Sequence, residues 1–143
     1  MALRWIGFGI LVFLFFSLAE GWWWRPKKDL TPTCAVNKLW RAYRDMKAAN
    51  WKGGCDKYFH CRGFYDVYKC CSRYTYPDAW LIEHGREFYG WVKGDPASDR
   101  AADYAANQAG KKGKDCWKLY VVGTICSLPK SNVYARWNPK GNC

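Results

Sequence analysis

The sequence lacks the motifs by which common enzyme classes are identified. It contains no G-x-S-x-G nucleophile motif and no glycine-rich phosphate loop, and only 2 of its 143 residues are histidines. His84 lies three residues before Glu87, but a single histidine does not form the paired-histidine metal site of the H-E-x-x-H motif. We therefore expect no enzyme, no cofactor and no metal ion, and we interpret His84 as a surface or half-buried residue.

Long apolar runs are also lacking beyond the N-terminus. The N-terminal run extends from Ile6 to Leu18 behind the basic residue Arg4, and small residues at Ala19 and Gly21 suit cleavage after Gly21. Cleavage after Ala19 is the close alternative. The run is short for a membrane span, so a retained anchor is less favoured. We expect residues 1–21 to be a signal peptide and the protein to be secreted.

Acidic residues are few, and the sequence has no N-x-S/T glycosylation sequon. Twelve Asp and Glu residues accompany 23 Lys and Arg residues, which gives a net charge of +11. This charge favours anionic partners such as sulfated glycans, acidic lipid headgroups or bacterial surfaces. The alternative is that it only keeps an aromatic-rich protein soluble. We expect no nucleic-acid partner, because a secreted protein seldom meets nucleic acid.

Cysteines, by contrast, are plentiful, and all eight follow the predicted signal peptide. An even number of cysteines in a small secreted chain indicates disulfides, here four. Zinc binding is the rival explanation, but neither histidine has zinc-site spacing from a cysteine pair. The eight residues are Cys34, Cys55, Cys61, Cys70, Cys71, Cys116, Cys126 and Cys143.

Two amphipathic helices are predicted between Leu39 and Asp66, with a break at residues 52–54. Apolar side chains recur at three- and four-residue spacing on both sides of the break. The first helix should begin near Thr33 or Cys34 and the second near Gly54 or Cys55. The two apolar faces are Val36, Leu39, Trp40, Tyr43 and Met46 in the first helix, and Tyr58, Cys61, Tyr65 and Tyr68 in the second.

The hairpin predicts a disulfide. If the two helices are antiparallel about Gly53, Cys34 lies level with Cys71 at the open end. Adjacent cysteines bridge each other only through a strained ring, so Cys70 and Cys71 should have separate partners. We predict that Cys34 pairs with Cys70 or Cys71 and that the other reaches elsewhere, with the C-terminal tail as one candidate.

Two further helices are predicted downstream. Pro77 suits the first turn of the third helix, Gly94 suits its end, and Asp95 and Pro96 suit the start of the fourth as N-cap and first helical residue. Four helices joined by short turns predict an all-α fold, a compact four-helix bundle. The apolar stripe assigned to the third helix is Leu81, Phe88 and Val92, flanked by Ile82 and Tyr89. Small residues that would let a neighbouring helix approach the fourth are Ala101, Ala102, Ala105, Ala106 and Ala109.

Several motifs are more specific than this periodicity. The segments WRAY (residues 40–43), DKYFH (56–60) and RGxYD (62–66), together with ADxAAN (102–107), resemble serum amyloid A in order and spacing. The resemblance covers about residues 38–115. It implies a compact four-helix fold and a secreted acute-phase protein that associates with high-density lipoprotein, phospholipid or retinol, often as an oligomer. Residues at matching positions, interpreted as architectural, are Trp40, Tyr43, Asp56, Tyr58, Phe59, His60, Gly63, Tyr65, Asp66, Arg86, Asp103 and Asn107.

The chain departs from this family at both ends. The resemblance implies a phenylalanine-rich N-terminal amphipathic helix, and nothing before about Lys38 matches it. We expect a signal peptide (residues 1–21), an extended tryptophan-rich basic arm (22–33), a helical domain (34–115) and a tail (116–143). We expect disulfides, and no helix of its own, to hold the tail.

Two functions follow from these observations. The first is a lipid or lipoprotein carrier of innate immunity; the alternative is a disulfide-stabilised cationic defence protein that binds anionic glycans or microbial surfaces. Lipid-interface candidates are Trp22, Trp23 and Trp24, which would either insert at a membrane interface or pack against the helices. Glycan-binding candidates are Arg41, Arg44, Arg62, Lys111, Lys112 and Lys114.

Overall fold

A computed structural model describes residues 28–50 and 54–143, and in these residues the fold is all-helical. This confirms the predicted four-helix fold with a disulfide-tied tail. No helix in these two ranges combines the length and apolarity needed to cross a bilayer. The predicted signal peptide and Trp22–Trp24 lie outside the described residues. The main helices are α1 (Cys34–Ala48), α2 (Asp56–Cys70), α3 (Tyr76–Lys93) and α4 (Ala97–Lys111).

Helix α2 is the centre of the fold, because ten of its fifteen residues are buried. Its closest neighbour is α4, which meets it at Gly110. A Cβ atom placed on Gly110 would stand 2.1 Å from the carbonyl oxygen of Cys61 and 2.9 Å from the backbone nitrogen of Tyr65. The two backbones therefore touch at a position where only glycine fits. The predicted small-residue face of α4 is only partly the face that packs inward. Ala106 is buried, but Ala101, Ala102 and Ala105 are exposed.

The apolar stripe predicted for the third helix does not face the core. Its inward face is Ala79, Glu83 and Gly90, while Leu81, Phe88 and Val92 are each more than 60% exposed. The helix lies close to its neighbours through small residues, and its apolar stripe faces away from them. A large apolar face of α3 is thus not covered by any other described element.

The four disulfides join Cys34 to Cys71, Cys55 to Cys126, Cys61 to Cys116 and Cys70 to Cys143. The Cys34–Cys71 bond agrees with the antiparallel hairpin register and identifies which of the two predicted partners Cys34 has. The other, Cys70, reaches the tail, which was the candidate named for it. Three of the bonds therefore attach residues 116–143 to the end, the beginning and the middle of the α2 region.

The tail is also held by hydrogen bonds from the buried face of α2. The Tyr58 and Tyr65 hydroxyls donate to the backbone carbonyls of Ala135 and Pro139, at 2.7 and 2.6 Å. The Asp66 carboxylate accepts a hydrogen bond from the backbone N–H of Asn142 at 2.9 Å. Buried polar groups need such partners, so the irregular tail satisfies the polar groups of the most buried helix.

Two boundary predictions need correction. The tail does contain helical structure, namely α5 (Cys116–Tyr120), because the Asp115 side chain caps it by accepting a hydrogen bond from the backbone N–H of Lys118. Helix α4 begins one residue later than predicted. Pro96 has an extended backbone (φ −55°, ψ 139°) and occupies the N-cap position in place of Asp95.

Candidate functional site

An apolar groove of about 540 Å³ runs between α1 and α3 above α2. The sequence places aromatic and aliphatic residues at helical spacing on α1 and α3, and the small inward residues of α3 leave a gap between the two rows. Trp40 and Tyr89 stand at the rim and are mostly exposed. The other apolar lining residues are Val36, Leu39, Ala42, Tyr43, Met46, Phe59, Gly63, Phe64 and Ile82.

Polar groups are few in the groove and lie among apolar residues. The Glu83 side chain is fully buried; its Oε2 accepts a hydrogen bond from Lys111, and its Oε1 has no partner among the described residues. His60 Nδ1 lies 3.1 Å from Asn107 Oδ1. Burial lowers the pKa of His60, and the nearby charge of Arg86 lowers it further, so the imidazole is neutral at pH 7. The groove therefore suits a largely apolar ligand with a small polar group.

A charged network lies between α2 and α4, next to His60 at the floor of the groove. The Lys57 ammonium contacts carboxylate oxygens of Asp56, Asp99 and Asp103 at 2.7, 2.7 and 2.5 Å. Burial by itself would lower the pKa of Lys57, but hydrogen bonds to the three carboxylates raise it, so the lysine is charged. His60 Nε2 stands 3.5 Å from the second oxygen of Asp103.

The predicted glycan-binding residues separate into two groups. Arg41 and Arg44 are exposed on α1 and, with Lys38 and Trp40, border a shallow depression of about 400 Å³. Lys112 and Lys114 are exposed after α4. These four candidates remain accessible to an anionic partner.

For Arg62 and Lys111, the prediction of glycan binding is wrong. Arg62 is only 3% exposed; its guanidinium pairs with Asp45 and donates to the Tyr134 carbonyl at 2.6 Å. Lys111 is half-buried and pairs with Glu83. Both cations are occupied by internal carboxylates, so neither presents a free charge at the surface.

The family-motif residues also separate by environment. Tyr58, Phe59, Tyr65 and Asp66 are buried around α2, as an architectural role requires. Arg86 differs, because it is exposed at the groove and forms no ion pair with any carboxylate in the described ranges. The architectural role predicted for Arg86 therefore has no buried or ion-paired counterpart in the described residues, and Trp40 is also mostly exposed, at the rim of the groove.

Glu83 is the groove residue that sequence reasoning missed. Ala79, Glu83 and Gly90 share one helical face at four- and seven-residue spacing. The small residues Ala79 and Gly90 on this face were the signal in the sequence that α3 turns it inward. His84, by contrast, is exposed and packs on Trp80, with ring centroids 4.1 Å apart, as predicted.

Comparison with known proteins identifies similar chains. A family model described as "Serum amyloid A protein" matches residues 32–125. The serum amyloid A-3 protein of Mus musculus is 46% identical over 80 residues, covering 54% of this chain and 62% of that protein. The serum amyloid A-1 protein of Mesocricetus auratus is 36% identical over 109 residues, covering 74% of this chain and 84% of that protein.

The extent of the match varies among these relatives. The serum amyloid A protein of Bos taurus is 42% identical over 89 residues, covering 54% of this chain and 65% of that protein. The chain thus spans less than two thirds of the length of the mouse and bovine proteins. The matched family region contains α1 to α4, α5 and the whole groove.

Proposed function

This chain belongs to the serum amyloid A family, and from that premise we propose that it is a secreted, acute-phase-type protein of innate immunity that binds lipid or lipoprotein surfaces. High-density lipoprotein, phospholipid and retinol are the partners this proposal includes. Secretion is supported by the leader-like sequence of residues 1–21 and by eight cysteines that are all disulfide-bonded. The proposal keeps the division into an arm (residues 22–33), a helical domain (34–115) and a tail (116–143).

The observation that carries the proposal is the exposed apolar face of α3, which continues into the groove. Large apolar side chains on the surface of a monomer mark an interaction site when they are contiguous. Aromatic residues prefer the interface of a bilayer, and Lys93, exposed in the last turn of α3, adds a positive charge that attracts headgroup phosphates. The exposed residues of this face are Trp80, Leu81, Ile82, Phe88, Tyr89, Trp91 and Val92.

The energetics favour this use of the face. Burying a large apolar side chain contributes about 1.5–3 kcal/mol relative to full exposure, so each of these partly exposed residues contributes about 1 kcal/mol on entering lipid. Several such contributions exceed what a single surface charge pair supplies. Binding should therefore persist when salt screens charges. The adjoining groove offers a place for one acyl chain or one retinol-like molecule.

The double variant Phe88→Ser/Val92→Ser is expected to weaken binding to phosphatidylcholine vesicles about tenfold or more, because both side chains are exposed and apolar. Vesicle flotation in about 0.5 M salt, where the Debye length is below about 5 Å, measures the apolar part of binding. The fold should be unaffected, since neither side chain is part of the core.

The matched control is Val122→Ser/Val133→Ser, which removes exposed apolar side chains from the tail instead. This control should float like the unmodified protein. Failure of the unmodified protein to float in high salt, or equal loss in both double variants, would contradict the role of α3.

A second partner class, sulfated glycans, is supported by a separate observation. Arg41 and Arg44 are exposed on α1 beside the shallow depression, next to Trp40, whereas the ammonium of the half-buried Lys38 donates to the backbone oxygens of Asn142 and Cys143. Two neighbouring exposed guanidinium groups suit sulfate groups, and an indole offers a surface on which a sugar ring packs. The protein's charge of +11 adds long-range attraction.

Arg41→Gln/Arg44→Gln should elute from a heparin column at clearly lower salt than the unmodified protein, because the two exposed cations beside the depression are removed. Lys118→Gln/Lys130→Gln is a control of equal charge loss, with both residues exposed in the tail. If the control shifts as much as the α1 variant, binding reflects net charge alone. Passage of the unmodified protein through the column at about 50 mM salt would refute glycan binding.

A further inference from the structure

Helices α2 and α4 each present two potential metal ligands toward the other. Asp56 and His60 are four residues apart on α2, and Asp99 and Asp103 are four residues apart on α4. Side chains at this spacing lie on one face of a helix. Pairs at helical spacing on facing helices are how helix bundles assemble metal sites, and here the two backbones touch further along the same contact.

The ligand atoms are already close together. One carboxylate oxygen each from Asp56, Asp99 and Asp103 lie within 4.8 Å of one another. His60 Nε2 is 3.5 Å from Asp103 Oδ2. In a tetrahedral zinc site with bonds of about 2.0–2.2 Å, ligand atoms stand about 3.4 Å apart. The nitrogen and one Asp103 oxygen are thus at that separation. His60 is not among the residues whose ligand atoms all lie within 4.8 Å of one another, so binding requires the Asp56 and Asp99 side chains to move toward His60.

His60 gives an independent indication. Its side chain is only 8% exposed, and Nε2 has no hydrogen-bond partner in the described part of the chain, although Nδ1 is paired with Asn107. Buried polar atoms are rarely left without a partner. Metal-binding histidines show this division of roles, with one ring nitrogen on the metal and the other held by a hydrogen bond.

The position between the three carboxylates is taken by the Lys57 ammonium. One positive charge therefore faces three negative charges. The Lys57 side chain is 17% exposed and belongs to the first turn of α2, so its flexible stem can rotate toward solvent without unfolding the helix. A divalent ion at the same place would bring twice the charge.

We propose that this cluster is a divalent-cation site of the zinc class, with Asp56, Asp99, Asp103 and His60 as ligands and Lys57 as a displaceable internal cation. An imidazole nitrogen among carboxylates favours Zn²⁺ over Ca²⁺ or Mg²⁺, which prefer oxygen alone. Bound metal would join α2 to α4 beside the floor of the groove. This inference is independent of lipid binding.

Titration calorimetry with Zn²⁺ tests the site in the intact, disulfide-bonded protein. All eight cysteines are bonded, so thiolates cannot supply the binding. We expect one saturable site, about tenfold or more weakened by Asp103→Asn and by His60→Gln. Lys57→Met should bind about tenfold more tightly, because no ammonium has to be displaced. His84→Gln, at the other histidine, should leave affinity unchanged.

Loss of Zn²⁺ binding in Asp103→Asn or His60→Gln could also arise from unfolding. The gain of affinity expected for Lys57→Met could not, so this variant separates the two explanations. Replacing Zn²⁺ with Co²⁺ in that variant should give the intense visible absorption of a tetrahedral nitrogen- and oxygen-ligated ion. Absence of saturable Zn²⁺ binding by the unmodified protein overturns the proposal, whatever Lys57→Met does. Binding that survives Asp103→Asn and His60→Gln but is lost in His84→Gln overturns it too.

Discussion

Alanine in place of Gly110 is expected to lower the free energy of unfolding by about 3 kcal/mol or more, which is a large share of the stability of a small domain. The added Cβ would stand 2.1 Å from the Cys61 carbonyl oxygen and 2.9 Å from the Tyr65 nitrogen. Both atoms are backbone of the buried helix α2, so neither can move aside as a flexible side chain would. Relief requires α4 to move away from α2, which exposes buried surface along their contact.

Gly85→Ala is the matched control for the unfolding measurement. Gly85 lies within α3, and no atom lies within 4 Å of the position its Cβ would take. Alanine should therefore stabilise the protein there by about 0.5–1 kcal/mol, through helix propensity alone. Urea unfolding of the two variants gives opposite signs if the backbone contact at Gly110 is real. A loss at Gly110 of less than about 1 kcal/mol would show that α2 and α4 are farther apart.

The helical hairpin was the most predictable part of the fold, because its signals are local. Apolar residues at helical spacing set the two helices, and a glycine-containing break between them makes them antiparallel. Counting back from the break then places Cys34 opposite Cys71, which are bonded in the structure. Sequence periodicity sufficed here because the partner of α1 is the next element in the chain.

The orientation of α3 was not predictable by the same reasoning. Its apolar stripe at Leu81, Phe88 and Val92 shows that one face is apolar, but not that this face meets the core. The face with Ala79, Glu83 and Gly90 packs inward instead, because its two small residues let α3 lie close to the neighbouring helices. Arg62 was misassigned for a related reason: an arginine is buried when an internal carboxylate and a carbonyl satisfy it, and both partners are distant in sequence.

The groove and the acidic cluster were even less accessible from sequence. The groove is lined by residues from α1, α2 and α3 together with Asn107 of α4, and its polar groups belong to Glu83, His60, Arg86 and Asn107. In the cluster, each four-residue pair is visible in the sequence. That the two pairs face one another depends on the contact between α2 and α4. The close approach at Gly110 is part of that contact.

Removing one disulfide, with Cys34→Ala/Cys71→Ala, is expected to lower the free energy of unfolding by about 4 kcal/mol in the chain-entropy model, since the bond closes a separation of 37 residues. The bond lies at the open end of the α1–α2 hairpin, where Cys34, Ala35 and Phe64 belong to one buried cluster. Its loss releases the first turn of α1. Thermal and urea unfolding against the unmodified protein measure the effect.

The same variant tests how the tail is attached to α2, because Cys70 is then the only cysteine left of the adjacent pair. With Cys34 and Cys71 removed, the peptide that contains Cys70 should be linked to the C-terminal peptide alone, through Cys143. The Cys55–Cys126 and Cys61–Cys116 links should be unchanged. Mapping without reduction reads all three. A free thiol at Cys143, or a link from Cys70 to Cys116 or Cys126, would mean that the tail is attached to α2 differently. The hydrogen bonds that Tyr58, Tyr65 and Asp66 make with the tail would then need a different arrangement.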